Sequence, residues 1–263
     1  MKEIEHLHLL AKEYSTYHEI SVYEAANFEG ELGRYRWLQF SDDAVQGAID
    51  LSNPKRIVME YPRAMIHFME FYRPAFDNVF VIGHGIGTIA GHYPEKRFTV
   101  AEIDGKVVEL SKAFFGYEKE NVMIGDGRRI LSEEAPDTFD YIILDAFNKK
   151  GTPSHLTTVE FFKMTSEKLR SHGSIMMNLM GKIRNDKLIN AIHTTLKEAY
   201  AYSKAFCLPG KGAFDIRNIL VIGSNNAFEG QPREMAGFVE IELEQGHVIM
   251  DSVPRDPDGR RSL

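Results

Sequence analysis

The stretch that decides the fold is VFVIGHGIGTIAGHYPEKRFTVAEIDGKVVEL, residues 79–110. A short apolar run ends at three glycines, Gly83, Gly85 and Gly87, and the next apolar run ends at Glu102. A short, wholly apolar run is typical of a central parallel strand that is buried on both faces. Glycine permits a sharp turn and lets a ligand approach the backbone closely. A glycine turn followed about 20 residues later by a carboxylate predicts a nucleotide or nucleoside site.

Strands and helices alternate through the rest of this region. Five strands are predicted in NVFVIG, FTVAEID, NVMIGDG, FDYIILDAF and GSIMMNLMG. Helices are predicted at VVELSKAFFG (107–116) and LINAIHTTLKEAY (188–200), and two further strands at the sheet edge, AYSKAFCL and NILVIGSN. This alternation predicts an α/β fold built on a Rossmann-like, doubly wound sheet.

The residues before this region have a different pattern. Residues 15–60 are rich in β signals, with EGELG as the turn of a hairpin and AVQGAIDL as a further strand, and 62–73 have helical spacing. We therefore predict an N-terminal segment with a small β-hairpin domain (1–60), a Rossmann-like catalytic domain (61–230) and a C-terminal extension that is partly loose (231–263).

Composition excludes several classes of protein. The 263 residues carry a formal net charge of -7, whereas a general nucleic-acid binder is more often basic. No stretch approaches the roughly 18 apolar residues of a membrane span. The single cysteine, Cys207, allows no internal disulfide, and no cysteine or histidine cluster has metal-ligand spacing. We expect a cytoplasmic protein without a metal, a nucleic-acid partner or a membrane partner.

Acidic residues end three successive predicted strands. Glu102 is placed to accept hydrogen bonds from two ribose hydroxyls, Asp126 to reach an adenine amino group, and Asp145 to lie beside the reacting end of a ligand. Ligands of open α/β sheets bind at these carboxyl ends. Any one of these acids is as well explained as a helix cap, but acids at successive strand ends favour a site. A carboxylate at an open cleft has water as an alternative partner, so we expect Glu102 to contribute to binding and not to stability.

Two ligand classes compete for such a site. The pyrophosphate of NAD binds a glycine loop at a helix N-terminus, but further carboxylates at the neighbouring strand ends would repel it. A cationic ligand without phosphate, such as an S-adenosyl sulfonium compound, suits these charges better.

From about residue 34 to 223 the chain resembles the polyamine aminopropyltransferases, the spermidine synthase family. The motifs that carry the resemblance are VQGAIDL, EYPRAM, VIGHGIGT, VAEID, IGDGRRIL and IILDAFNKKGTPSHLTTVEFF. The last is most similar to a divergent bacterial branch that is often labelled spermidine synthase-like. The resemblance implies a small N-terminal β-domain before a Rossmann-like domain of the kind found in S-adenosylmethionine-dependent methyltransferases. It also implies a homodimer.

The resemblance also implies roles for single residues. Glu102 resembles the ribose-binding acid, Asp126 and Gly127 the adenine-binding turn, and Asp145 the catalytic aspartate that helps to deprotonate the attacking amine. Positions near the family's active-site lining are Gln46 and Tyr61.

Two departures from the family pattern concern the amine. The family's glycine loop usually carries an aspartate where this chain has Ile86. The family also usually has a second aspartate three residues after the catalytic one, where this chain has Asn148. Each lost carboxylate removes a charge-assisted hydrogen bond worth roughly 1.5–3 kcal/mol. Either other acids hold the amine, for which the candidates are Glu60, Asp42 and Asp43, or the substrate is not a simple diamine.

Three functions remain open on these grounds. The first is transfer of an aminopropyl or similar alkyl group from a decarboxylated S-adenosylmethionine-type donor to a small amine, possibly a polyamine. The second, motivated by Ile86, is methyl transfer from S-adenosylmethionine itself. The third is a non-catalytic homologue that binds a nucleoside. Two histidines are also ambiguous: His84 in the glycine loop and His155 after the fourth strand either contact a ligand or have a structural place.

Overall fold

The N-terminal sheet is an antiparallel meander. In the computed structural model, which describes residues 7–41, 44–148, 151–210, 212, 215–230 and 235–252, this sheet has the strands β1 (His8–Tyr14), β2 (Glu19–Phe28), β3 (Glu31–Phe40) and β4 (Val45–Asp50) in that order. The predicted hairpin joins β2 to β3 through Glu29 and Gly30, which have φ angles of 51° and 87°. Two central residues with positive φ match the twist of a two-residue hairpin loop. Strand β1 was not predicted.

The second sheet is larger and mostly parallel. Its strands are β5 (Asn78–Ile82), β6 (Arg97–Glu102), β7 (Val122–Ile124), β8 (Phe139–Leu144), β9 (Leu169–Gly181), β10 (Tyr202–Cys207), β11 (Arg217–Ser224) and β12 (Val239–Ile241). The spatial order is β12-β10-β11-β9-β8-β5-β6-β7. The pairings from β9 through β8, β5 and β6 to β7 are parallel. The pairings β12-β10, β10-β11 and β11-β9 are antiparallel. The chain was expected to end this sheet with β10 and β11, but β12 pairs with β10 and forms the edge.

Helices cover both faces of this sheet. They are α1 (Glu60–Tyr72), α2 (Thr88–His92), α3 (Gly105–Phe115), α4 (Gly127–Glu133), α5 (Val159–Lys168) and α6 (Lys187–Leu196), with a 3₁₀ turn at Ser154–Leu156. Helix α3 ends at Gly116, as predicted, because this residue adopts the left-handed conformation, with φ of 69°.

The apolar runs are explained by burial on both sides. Successive side chains of a strand point to opposite faces. Phe80 and Ile82 therefore join one core cluster, and Val79 and Val81 join another on the opposite face. No face of β5 is left for polar residues, so the run has no alternation.

The described part of the C-terminal extension packs on the large sheet and its helices. Beyond β12, the backbone N–H of Ile249 donates to Thr195 Oγ1 at 2.9 Å, and Asp251 pairs with Arg128 at 2.6 Å. Residues 253–263, which belong to the segment predicted to be loose, lie outside the described residues. The division into 1–60, 61–230 and 231–263 stays a prediction. Within the described ranges, no helix has the length and apolar character that crossing a membrane requires.

Candidate functional site

The carboxyl ends of the parallel strands open into one cleft. The cleft has a cavity volume of about 360 Å³ and lies between the large sheet and the N-terminal sheet. Its lining brings together most of the predicted site residues: Gln46, Gly83, Gly85, Glu102, Asp126, Gly127, Asp145 and Asn148. The predicted residues Tyr61 and Gly87 line a smaller adjoining pocket that shares Gln46, Gly83 and Asp145 with the cleft. Residues spread over a hundred positions of sequence therefore surround one space.

The glycine loop is held closely against the protein itself. Gly83 has a φ of 99°, and a Cβ at this position would collide with the carbonyl oxygen of Asp145. At Gly85, with a φ of 54°, a Cβ would lie 2.6 Å from the carbonyl oxygen of Gln46 in β4. The glycines are therefore needed for contacts within the chain, besides any approach of a ligand. The loop thereby joins the end of β8 to the N-terminal sheet.

Glu102 is an internal anchor of this loop. One of its carboxylate oxygens accepts a hydrogen bond from the backbone N–H of His84 at 2.8 Å, and the other accepts from the N–H of Asp104 at 2.9 Å. Burial raises the pKa of this carboxyl group, and hydrogen bonds from the backbone of Asp104, His84 and Ile103 oppose that rise. The side chain is only 9% exposed. The expectation for stability assumed water as the partner of Glu102, and this premise was wrong, because backbone N–H groups are its partners.

Glu102 nevertheless keeps acceptors for a ligand. A carboxylate has about four lone-pair positions, and the backbone N–H groups of its neighbours do not fill all of them. The residue lines the cleft. It therefore keeps acceptor capacity for a hydroxyl group of a ligand.

Asp126 both caps a helix and lines the cleft. Its Oδ1 accepts from the backbone N–H of Arg129 at 2.9 Å, which makes it the N-cap of α4. Its Oδ2 lies 2.7 Å from His155 Nε2. Burial raises its pKa, but the hydrogen bonds from Arg129 and His155 outweigh burial, so the pKa lies below the ordinary value. The side chain is therefore a helix cap that also borders the cleft, where His155 contacts it; its role toward an adenine stays a prediction.

Asp145 lies at the end of β8, half-buried and open toward the cleft. Its Oδ1 accepts a hydrogen bond from Asn178 Nδ2 at 2.9 Å, and the Tyr61 hydroxyl also interacts with the carboxyl group. Burial raises its pKa, while the hydrogen bonds of Asn178 and Tyr61 lower it by less. A carboxylate with a raised pKa is suited to accept a proton.

The two positions that depart from the family pattern have different surroundings. Ile86 is 5% exposed and packs in an apolar cluster with Ile20, Val22 and Leu38 of the N-terminal sheet. Asn148 lines the cleft, and its backbone N–H donates to the carbonyl oxygen of Gly151 at 2.9 Å. The first position is therefore part of the core and also lines the smaller adjoining pocket beside Tyr61, and the second borders the cleft.

Of the three other acids proposed to hold the amine, the structure describes only Glu60. Glu60 begins α1 and its carboxylate lies 3.5 Å from Arg63, outside the residues that line the cleft. Asp42 and Asp43 lie outside the described residues.

His84 makes structural contacts and also lines the cleft. It is 7% exposed, its Nε2 lies 2.7 Å from Ser111 Oγ in α3, and its ring meets the edge of Tyr117. Burial lowers its pKa to about 4. In the part of the chain that the structure describes, no three histidine, cysteine or acidic side chains are grouped so that they could hold a metal ion.

Several residues of the site were missed by the sequence analysis. Tyr17, His18 and Phe40 line the cleft from the N-terminal sheet, where the His18 and Phe40 rings stack with centroids 3.9 Å apart. No short motif marks them, because they come from a different sheet. Asn178 did carry a signal, since a lone asparagine within the apolar run SIMMNLM needs a buried partner.

Comparisons with known proteins show the family of the chain. A family model described as the spermine/spermidine synthase domain matches residues 58–214. A polyamine aminopropyltransferase of Vibrio vulnificus is 27% identical over 215 residues, which is 76% of this chain and 68% of that protein. One of Thermoanaerobacter sp. is 29% identical over 157 residues, or 56% of each chain, so this chain spans about half the length of that relative.

A solved structure confirms the predicted fold. The chain superposes on a probable spermidine synthase from Corynebacterium glutamicum with a TM-score of 0.77 and 18% identity, over 94% of this chain and 99% of that one. At this identity the likeness concerns the fold alone.

Proposed function

The chain belongs to the spermine/spermidine synthase family, and we propose that it transfers an aminopropyl, or similar alkyl, group from a decarboxylated S-adenosylmethionine-type donor to an amine. The observation that carries the proposal is the convergence of Glu102, Asp126 and Asp145 on one cleft. Curated relatives of the chain are named polyamine aminopropyltransferases.

The nucleoside of the donor would be held at the ends of β6 and β7. The remaining acceptor capacity of Glu102 would take the ribose hydroxyls, and Asp126 lies at the next strand end, where an adenine amino group can donate to it. The two acids and Asp145 make the cleft anionic, which suits a sulfonium and not a pyrophosphate.

The reaction is a displacement at the carbon beside the sulfonium. The lone pair of the acceptor nitrogen forms the new N–C bond, the C–S bond breaks, and its electron pair goes to sulfur, which leaves methylthioadenosine. Asp145 accepts the proton that the amine gives up. Because sulfonium is a good leaving group, the protein mainly aligns the partners and keeps the amine neutral.

The acceptor is a small amine, and a polyamine is one candidate. The family's two further acids are replaced by Ile86 in the core and by Asn148 beside the cleft, so this chain holds the amine with fewer charges among the described residues. The homodimer and the cytoplasmic location stay predictions.

The test is product formation. Purified protein incubated with the decarboxylated donor and putrescine, spermidine or cadaverine should release methylthioadenosine. The same incubation with S-adenosylmethionine should release no adenosylhomocysteine. Release of adenosylhomocysteine alone, or no methylthioadenosine with any of the amines, would contradict the proposal.

A further inference from the structure

A chain of two asparagines leads from the sheet interior to Asp145. Asn178 Nδ2 donates to Asp145 Oδ1 at 2.9 Å, and Asn218 Nδ2 donates to Asn178 Oδ1 at 2.9 Å. Neither asparagine lines the cleft. We propose that Asn178 and Asn218 are positioning residues, which orient the Asp145 carboxylate toward the cleft and hold it in the ionised form. The inference rests on the role of Asp145 in the proposed function.

The sheet register explains why the two asparagines meet. Asn178 of β9 is paired with Leu220 of β11, and Asn218 of β11 is paired with Met180 of β9. Residues two apart on a strand point to the same face, so both amides lie on one face of neighbouring strands. On the other side of β9, the end of β8 places Asp145 beside Asn178.

The direction of these hydrogen bonds is fixed by chemistry. An ionised carboxylate can only accept, so Asn178 must present its amide nitrogen to Asp145. The Asn178 oxygen then faces Asn218, which must donate. Asn178 is 1% exposed, and water cannot replace either partner without opening the sheet. Asn218 therefore selects which end of the Asn178 amide faces Asp145.

Few titratable groups lie close enough to the Asp145 carboxyl group to affect its protonation. The titratable group that faces it from α1 is Tyr61, whose own pKa is raised by burial and by Asp145. From β9 and β11 the facing groups are the neutral asparagine amides, and from the glycine loop the neighbour is the backbone of Gly83. The other titratable residues that line the cleft are Tyr17, His18, His84, Glu102, Asp126 and His155.

The first measurement needs no turnover. The carboxyl ¹³C resonance of Asp145, assigned by its loss in Asp145→Asn, is titrated by NMR in the parent, in Asn178→Leu and in Asn218→Leu. Loss of a hydrogen bond to the charged form should raise the Asp145 pKa by about one to two pH units in Asn178→Leu. Asn218→Leu should also raise the Asp145 pKa, because the Asn178 amide is then free to turn its oxygen toward Asp145. The rise should be smaller, because the Asn178 amide nitrogen is still present to donate.

The second measurement is the pH profile of methylthioadenosine release with putrescine and the decarboxylated donor. Asn178→Leu should lower kcat near neutral pH, shift the acid limb upward by the same one to two units, and recover turnover at higher pH with an unchanged KM for the donor. A purely structural role would lower turnover at every pH. The matched control is Asn190→Leu, which removes another buried amide, 5% exposed, that donates to Glu244 at 3.0 Å, away from the cleft; its pH profile should match that of the parent.

The outcomes separate the two proposals. An unchanged Asp145 titration in Asn178→Leu overturns the positioning role, and if that variant does not fold, an unchanged titration in the less buried Asn218→Leu does the same. If Asn178→Leu raises the Asp145 pKa but the parent protein releases no methylthioadenosine, the positioning role is kept and the proposed function is refuted.

Discussion

Replacing Glu102 by glutamine tests the anchor of the glycine loop and the ribose site together. Glutamine keeps the shape and one acceptor oxygen, but its NH₂ group must face one of the two backbone N–H donors, of His84 or of Asp104, which lie 2.8 and 2.9 Å from the present oxygens. A lost hydrogen bond to a charged acceptor is worth about 1.5–3 kcal/mol. Removing a buried charge, whose pKa burial has raised, offsets part of this. We expect a net loss of about 1–2 kcal/mol of unfolding free energy, or roughly 2–8 °C in Tm.

Ligand affinity should fall as well, for a separate reason. The remaining lone pairs of Glu102 would accept from the ribose hydroxyls, and the amide offers fewer and weaker acceptors. A loss of about 1.5–3 kcal/mol corresponds to roughly tenfold to more than a hundredfold in Kd. Calorimetry with methylthioadenosine measures this without the amine end of the donor.

The matched control is Asp104→Asn. Asp104 is 3% exposed, caps α3 by accepting from the N–H of Lys106 at 3.0 Å, and is not among the residues that line the cleft. Asparagine caps a helix as well as aspartate does, so this variant should bind methylthioadenosine like the parent. If Glu102→Gln melts and binds like the parent, both roles of Glu102 are wrong; a lower Tm with unchanged binding would refute the ribose site alone.

Three further tests concern Asp145, His84 and Ile86. Asp145→Asn should bind methylthioadenosine nearly normally and lose most turnover. Burial raises the folded pKa of Asp145 above its unfolded value, so the ionised carboxylate lowers stability at pH values above the folded pKa. Asp145→Asn should therefore have a higher Tm than the parent at neutral pH, but not at pH values below the unfolded pKa. An equal Tm difference at all pH values would contradict this. His84, with a pKa lowered from 6.5 to about 4, should make the parent lose on the order of 3 kcal/mol as pH falls from 6.5 to 4, because the unfolded chain binds the proton first. In denaturant titrations at several pH values His84→Asn should lose most of that slope, and an unchanged slope would refute the assignment. Ile86→Asp should destabilise the protein by several kcal/mol, because it buries a charge in the apolar cluster beside the N-terminal sheet, whereas Ile86→Val should cost only about 0.5–1.5 kcal/mol; urea titrations that rank the two variants equally would show that this position is not core.

Much of the site could be predicted from the chain because parallel strands all end at the same edge of a sheet. Once the apolar runs before Gly83, Glu102, Asp126 and Asp145 are identified as neighbouring parallel strands, geometry alone places their ends together. The hairpin at Glu29 and Gly30 and the end of α3 at Gly116 are equally local, since they depend on backbone angles that a few residues favour.

The partners of these residues were decided only by tertiary structure. Asn178 contacts Asp145 from 33 positions away, and Ile86 packs against strands of a different sheet. The sequence shows Glu102 at a strand end but not that its oxygens hold the backbone of its own glycine loop. Such contacts depend on the register of neighbouring strands and on how one sheet sits against another, and no pattern within a single segment of the chain encodes either.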